Sequence, residues 1–468
     1  MKPMEKFTRL FGVQDMTVGR PLDTLIAFSI PLLIGNFAQQ LYNTVDSIIV
    51  GQYIGDTALA AVGTSGPILN LMLVLFMGIS TGASILAAQY FGARDRATLS
   101  KLVGSTFFLV LFSGILMSVL GYLLTGFLVG LVNPPENVAA GAIIYLRIIF
   151  IGMTGAAAYN ILAGVLRGMG DSVYPLIFLV IACVLNIILD IVFVRNFGWG
   201  IAGVAWATII AQAISGILCT IRLLHMKSHI DVNRETMKPE KRLILNLCSL
   251  GFPAGITSAI FSMSAIVVQN LTNSMGELTI AATVAVMRVD GFAMMPNFTF
   301  GTAATTYVGQ NIGAGQAERV RPGTRDLMKI SLICSSVLVA CILVFGRGLI
   351  GMFTQTDTVI LLGARGLRIQ ALGYIAFAVS QVLQGVMRGA GETVVPMWIS
   401  IITTIILRMP LAYLIAYLTR SALWPNGNPD AIFVSLLVSW LVAMILSVLL
   451  YRSGHWLKKL PASIRTRI

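Results

Sequence analysis

Ionisable and amide side chains set inside otherwise apolar stretches are the residues of this sequence with chemistry to offer. Asp46, Arg147, Asp190, Arg288, Asp290 and Arg408 fall within runs long enough to cross a bilayer. A charge there is costly and marks a functional site by default. Asn36, Gln39, Asn43 and Asp46 lie within about 80° of arc at 100° per residue, so they share one helix face. Asn186 and Asp190, spaced i, i+4, project together from another helix. Two such faces enclose a small polar cavity. Neither Asp46 nor Asp190 has a basic residue within a turn, and a structural contact is met by Asn or Ser. Two carboxylates therefore point to a site that gains and loses a cation, with a proton and a metal cation competing for the same oxygens. Asp290, two residues after Arg288, reads as a structural ion pair, although residues at that spacing point about 200° apart on a helix and each can pair elsewhere. Pro31, fifteen residues before Asp46, is expected to bend its helix, and Pro253 stands near the matching place later in the chain.

The elements that must position these residues are membrane spans. Of 468 residues, 57% are hydrophobic and only 11% charged, against roughly 25% charged in a soluble domain. A soluble enzyme is excluded, and little chain is left for an extramembrane domain. Apolar runs of spanning length lie at about 23–50, 58–88, 101–131, 138–164, 173–194, 200–224, 243–271, 279–310, 327–346, 358–385, 394–419 and 431–451. The expectation is twelve transmembrane helices, all-α. Residues 1–22 form a tail, 23–224 an N-terminal lobe, 225–242 a linker, 243–452 a C-terminal lobe and 453–468 a second tail.

With twelve spans both termini share a side, which receives 24 basic residues against three (Arg195, Arg347 and Arg420) in the opposite connections. The positive-inside rule makes that side cytoplasmic. The net charge of +13 is then a topology signal, and no nucleic-acid partner is implied. Five cysteines without a CxxC pair suggest neither a disulfide framework nor a zinc site. The three histidines fall in loop or tail, so no catalytic cluster and no cofactor is expected.

A shift of 221 residues lays NILAGVLRGMGDSVYP (160–175) on QVLQGVMRGAGETVVP (381–396) with 8 of 16 identities. The same register pairs Arg147 with Arg368, Gln89 with Gln310, and Gly92 with Gly313. Each repeat holds six spans, an even number, so the lobes are parallel repeats related by a pseudo-two-fold axis along the membrane normal. Asp46 and Asp190 fall on Val267 and Leu411, which confines the acidic site to the first lobe.

Taken together, Pro31, NTVDSIIVGQYIG with ALAAVG after it, AAQYFGA, the two RGxGDS and RGxGET turns, and NIILD resemble the multidrug and toxic-compound extrusion (MATE) family over nearly the whole chain. The resemblance implies two six-helix lobes that alternate between inward-facing and outward-facing states while a cation gradient, H⁺ or Na⁺, drives antiport of organic, often cationic amphipathic compounds. It further implies that Asp46, Asn186, Asp190 and Thr208 hold the coupling cation, and that Pro31 is the helix-kinking residue. Family members with a sodium site in the second lobe use acids of spans 7 and 10, which this sequence lacks. A monomer in a bacterial inner membrane is expected. The alternatives are a lipid-linked saccharide flippase of the same superfamily, which calls for a strongly basic cleft, and a membrane scaffold or receptor.

Overall fold

A computed structural model describes residues 12–132, 134–454 and 456–457, without the side chains of Asn43, Ser47 and Asp56. Secondary structure among the described residues is entirely helical. In chain order the helices are α1 Pro21–Tyr53, α2 Asp56–Gly92, α3 Arg96–Val132, α4 Glu136–Ile151, α5 Met153–Gly168, α6 Val173–Ile191, α7 Gly200–His225 and α8 Lys241–Ser274. They continue as α9 Glu277–Ala293, α10 Met295–Gly313, α11 Val320–Gly351, α12 Asp357–Gly389, α13 Val394–Ser400, α14 Met409–Leu418 and α15 Asp430–Arg452. Two π-helical segments, Val192–Asn196 and Ile401–Arg408, extend α6 and join α13 to α14.

By length and composition eleven spans among the described residues qualify as transmembrane, and the bent pair α4–α5 makes a twelfth. This is the twelve-span architecture read from hydropathy. Several helices exceed the roughly 20 residues a bilayer requires, because polar turns extend them past the apolar core. On α3, Phe108, Phe112, Ile115, Val119, Leu123, Phe127 and Leu131 form one exposed apolar stripe at spacings of three and four, with Leu123 at 72% exposure. Such a face is stable against lipid and not against water.

The chain divides into two compact units. The first comprises the residues up to Gly19, Ile26–Gly255 and Gly309–Gly315; the second comprises Arg20–Leu25, Ile256–Val308 and the chain from Gln316 onward. In the first unit α5 packs on α2, α3 and α7. Small residues carry that packing: a Cβ on Gly164 would stand 2.6 Å from the Ser80 carbonyl, and one on Gly168 2.3 Å from the Ser84 carbonyl. Close helix approach through small residues suits association in lipid, where burial gives no hydrophobic gain. The second unit repeats the device at the 221-residue register, where a Cβ on Gly385 would meet the Gly301 carbonyl at 2.3 Å.

Each RGxG turn is built alike. Gly170 (φ +89°) and Gly391 (φ +86°) adopt the left-handed conformation that glycine tolerates. The acid that follows caps the next helix: Asp171 accepts from the Tyr174 N–H at 3.2 Å, and Glu392 accepts from the N–H groups of Val394 and Val395 at 3.0 and 3.1 Å. The repeats differ in their fourth span. The first is bent by 56° between α4 and α5 at Gly152, whereas α12 runs unbroken. Arg147 lies over the Tyr122 ring at 5.4 Å.

The connection from α7 to α8 is stitched to α3. Asp231 N–H donates to Ser100 Oγ (2.8 Å), Glu240 N–H to Ser105 Oγ (3.0 Å), and Arg96 to the Lys227 carbonyl (2.7 Å). A Cβ on Gly104 would lie 2.1 Å from the Thr236 carbonyl, so this segment rests directly on the helix.

Candidate cation site

The first unit gathers side chains from three helices. Asp46 lies on α1, Asn186 and Asp190 lie one turn apart on α6, and Thr208 lies on α7. Asn186 and Asp190 have no solvent exposure. The Asn186 amide is satisfied when its nitrogen faces the carboxylate, donating to Asp190 Oδ2 at 3.0 Å while its oxygen accepts the Thr208 N–H at 3.2 Å. Thr208 Oγ1 donates to the Val204 carbonyl at 2.9 Å, which turns its lone pairs outward. The carboxyl groups of Asp46 and Asp190 are in hydrogen-bonding contact. Carboxylate oxygens cannot donate to each other, so this contact needs a proton or a cation between them.

One oxygen of each acid, Asp46 Oδ1 and Asp190 Oδ1, is buried with no hydrogen-bond partner in the protein. Buried carboxylate oxygens are ordinarily paired. With the Thr208 hydroxyl close by, the ligands that these acids offer are oxygens, which suit a hard cation or a proton and not a soft metal. Among the described residues no group of three or more His, Cys, Asp or Glu is placed to hold a metal ion.

Two residues of this site escaped the sequence reading. The Tyr42 hydroxyl hydrogen-bonds Thr208, and Tyr42 and buried Tyr145 both stand within electrostatic range of Asp46 and Asp190. Tyr42 is one turn before Asp46 on α1; that spacing is the signal in the sequence, masked because tyrosine counts as apolar packing. Asn36 is exposed and Gln39 half-buried, about 15 and 10 Å before Asp46 along α1 at the helical rise. The Asn43 side chain lies outside the described residues. The helix α1 is continuous through Pro31. The segment Val192–Asn196 begins two residues beyond Asp190, and π-helical turns of this kind occur often at functional sites.

In the second unit Asp290 does not pair with its neighbour Arg288, and the expected ion pair is replaced by contacts to another helix. Gln370 Nε2 donates to Asp290 Oδ1 at 2.6 Å, and the Tyr374 hydroxyl donates to the same atom. Arg408 acts on Asp290 electrostatically and donates to Ser264 Oγ at 3.3 Å. Residues two apart point about 200° apart on a helix, so Asp290 can face α12 while Arg288 remains exposed. Gln370 and Tyr374, spaced i, i+4 in an apolar span, were the unread signal.

Comparison with known proteins gives a consistent picture. The family profile described as MatE matches residues 31–192 and again 253–414, once in each repeat. A probable multidrug resistance protein of Bacillus subtilis (strain 168), YoeA, is 30% identical over 421 residues, spanning 88% of this chain and 91% of the relative. A second from that organism, YpnP, is 31% identical and spans 94% and 97%. The probable multidrug resistance protein NorM of Thermotoga maritima is 27% identical and spans 93% of each. Among solved structures, the outward-facing conformation of a multidrug resistance MATE family transporter of the MOP superfamily aligns with a TM-score of 0.87 at 23% identity, covering 94% of this chain and 97% of that one. A MOP superfamily transporter from Pyrococcus furiosus, described as having a binding pocket of reversed polarity, aligns equally well. At that identity the likeness establishes the fold.

Proposed function

The chain belongs to the MATE family of multi-pass membrane transporters, and from that premise we propose that it exports organic, often cationic amphipathic compounds by antiport against H⁺ or Na⁺. The observation that carries the coupling is the pair of carboxyl groups of Asp46 and Asp190, in contact inside the membrane-spanning bundle, each with an unpartnered buried oxygen. A site with that composition is filled by a cation or by a proton and exchanges one for the other. Filling it changes the net charge among α1, α6 and α7, and so the relative free energy of two arrangements of those helices. Thr208 supplies a neutral oxygen to a metal cation's shell, and the Asn186 amide N–H holds the Asp190 carboxyl in place whichever ion is bound. The names of the relatives, multidrug resistance proteins, support drug-like solutes as substrates.

The termini are assigned to the cytoplasm by the 24-to-3 partition of basic residues, in a plasma membrane of bacterial type. The transporting lobes are residues 23–224 and 243–452, joined by 225–242, and the functional unit is one chain.

The test is efflux of a cationic dye from proteoliposomes under separately imposed Na⁺ and H⁺ gradients. The unmodified protein should move dye under at least one gradient. Asp46→Asn and Asp190→Asn should each abolish gradient-driven movement. Wild-type rates in both variants would remove this site from the mechanism.

A further inference from the structure

The segment before α1 is bound far more specifically than a simple leader into the first span requires. Met16 has no solvent exposure. Its N–H donates to Gln310 Oε1 at 2.9 Å, and its carbonyl accepts from Asn311 Nδ2 at 3.1 Å. On the opposite side the Gln14 N–H donates to the Gly170 carbonyl at 3.0 Å, and Asp15 forms an ion pair with Arg94. Gln310, itself fully buried, also donates to the Gly168 carbonyl at 3.0 Å. Residues 12–17 therefore form a strap fastened on one side to turns of the first repeat, at 94 and 168–170, and on the other to the end of α10 in the second repeat.

Beneath the strap the two repeats meet at equivalent residues. A Cβ on Gly92 would stand 1.9 Å from the Gln310 carbonyl oxygen, and one on Gly313 1.9 Å from that of Gln89. Backbone therefore lies on backbone at the ends of α2 and α10. This end of the unit carries the basic connections, and a solute crossing there needs these helix ends to part. Parting them beyond hydrogen-bond reach pulls the strap from one of its two sides, because its bonds to both are held at 2.9–3.1 Å.

We propose that residues 12–17 are a latch that holds the crossing of α2 and α10 closed, and that its release from Gln310 and Asn311 is an obligatory step of the transport cycle. The proposal rests on the exporter reading in requiring a second state, open at this end. It assigns the buried Gln310–Asn311 pair a task apart from the cation site: recognising the backbone of Met16.

The test is amide hydrogen exchange of the unmodified protein in proteoliposomes, read on peptides covering residues 12–19, at rest and during turnover with dye and a cation gradient. The Gln14 and Met16 amides should be protected at rest and exchange several-fold faster during turnover, and Asn311→Ala should raise the resting rate. Arrest supplies the second arm. Met16→Cys with Asn311→Cys, joined by a short reducible bis-thiosulfonate linker, should lose dye movement and regain it when reduced. Slow exchange at both amides during turnover, or parental efflux from the linked protein, would overturn the latch. If the unmodified protein moves no dye under either gradient, the exporter reading fails instead. The latch is then judged by whether an imposed Na⁺ or H⁺ gradient alone accelerates exchange at Met16, and an unchanged rate overturns it.

Discussion

Replacing Gly313 by alanine should loosen the crossing of α2 and α10, by an amount that follows from the geometry. The new methyl would lie 1.9 Å from the Gln89 carbonyl oxygen, whereas ordinary contact begins at 3.4 Å. The two backbones must therefore retreat by about 1.5 Å, since the obstructing atoms are main chain and have no rotamer to escape into. Overpacking of this kind costs about 1–3 kcal/mol, and the cost falls on the closed arrangement alone. A two-state equilibrium biased by that amount shifts roughly 5- to 150-fold. The assay is resting hydrogen exchange at Gln14 and Met16, with Gly63→Ala on α2 as the control, because a Cβ there meets nothing within 4 Å. Gly313→Ala should accelerate exchange within that range and Gly63→Ala should not. Once the ends are apart the methyl of Gly92→Ala fits the same gap, so the double substitution should cost less than the two singles added. Exchange at the parental rate in a monodisperse Gly313→Ala protein would refute the argument.

Three further outcomes are expected. Thr208→Val should keep the fold but weaken the response to the coupling ion, measured as a rise in the cation concentration giving half-maximal efflux, because it removes one neutral oxygen and leaves both acids. Asp290→Leu should lower stability in detergent by about 2–5 kcal/mol, since the Gln370 and Tyr374 donors lose their shared acceptor in a buried setting; an unchanged unfolding midpoint would contradict that assignment. His229 stacks on Phe91 at 5.4 Å, and burial, with Arg94, Arg222 and Arg96 nearby, holds its imidazole below the ordinary 6.5. Its folded form thus binds a proton less readily than its unfolded form. The contribution is complete above about pH 6.5 and is lost as pH falls below it, so thermal unfolding should shift downward between pH 7.5 and 5.5, and His229→Phe should flatten that dependence.

Periodicity and composition were enough to place the spans and the repeat, because lipid imposes a length and polarity on every crossing that ordinary folds do not share. The meeting of Asp46 with Asn186 and Asp190 was also readable, since isolated polar residues in apolar helices have few places to face. What escaped detection has a physical reason in each case. The bend at Gly152 arises where a Cβ would press 2.3 Å from Ile209 Cβ, a packing relation invisible to hydropathy. Met16 and Gln310 are 294 residues apart, and a backbone acceptor leaves no mark on residue type. Tyr42 and Tyr145 carry a hydroxyl at the end of an apolar body, so their polar role emerges only from direction. Asp290 was assigned to its sequence neighbour because the spacing that matters, to Gln370 and Tyr374, crosses between helices.

Gly92 lies against Gln310, and Gly313 against Gln89. Residue i of one repeat touches residue j of the other, while j of the first touches i of the second, which is the rule of an isologous interface between identical subunits. A half-length chain bearing one copy of that turn would hold a patch complementary to itself, at which two copies would pair about a two-fold axis. Joined in one chain by residues 225–242, the two copies are free to differ: the first carries Asp46 and Asp190 where the second has Val267 and Leu411. The present molecule carries, folded within a single chain, the interface of a homodimer.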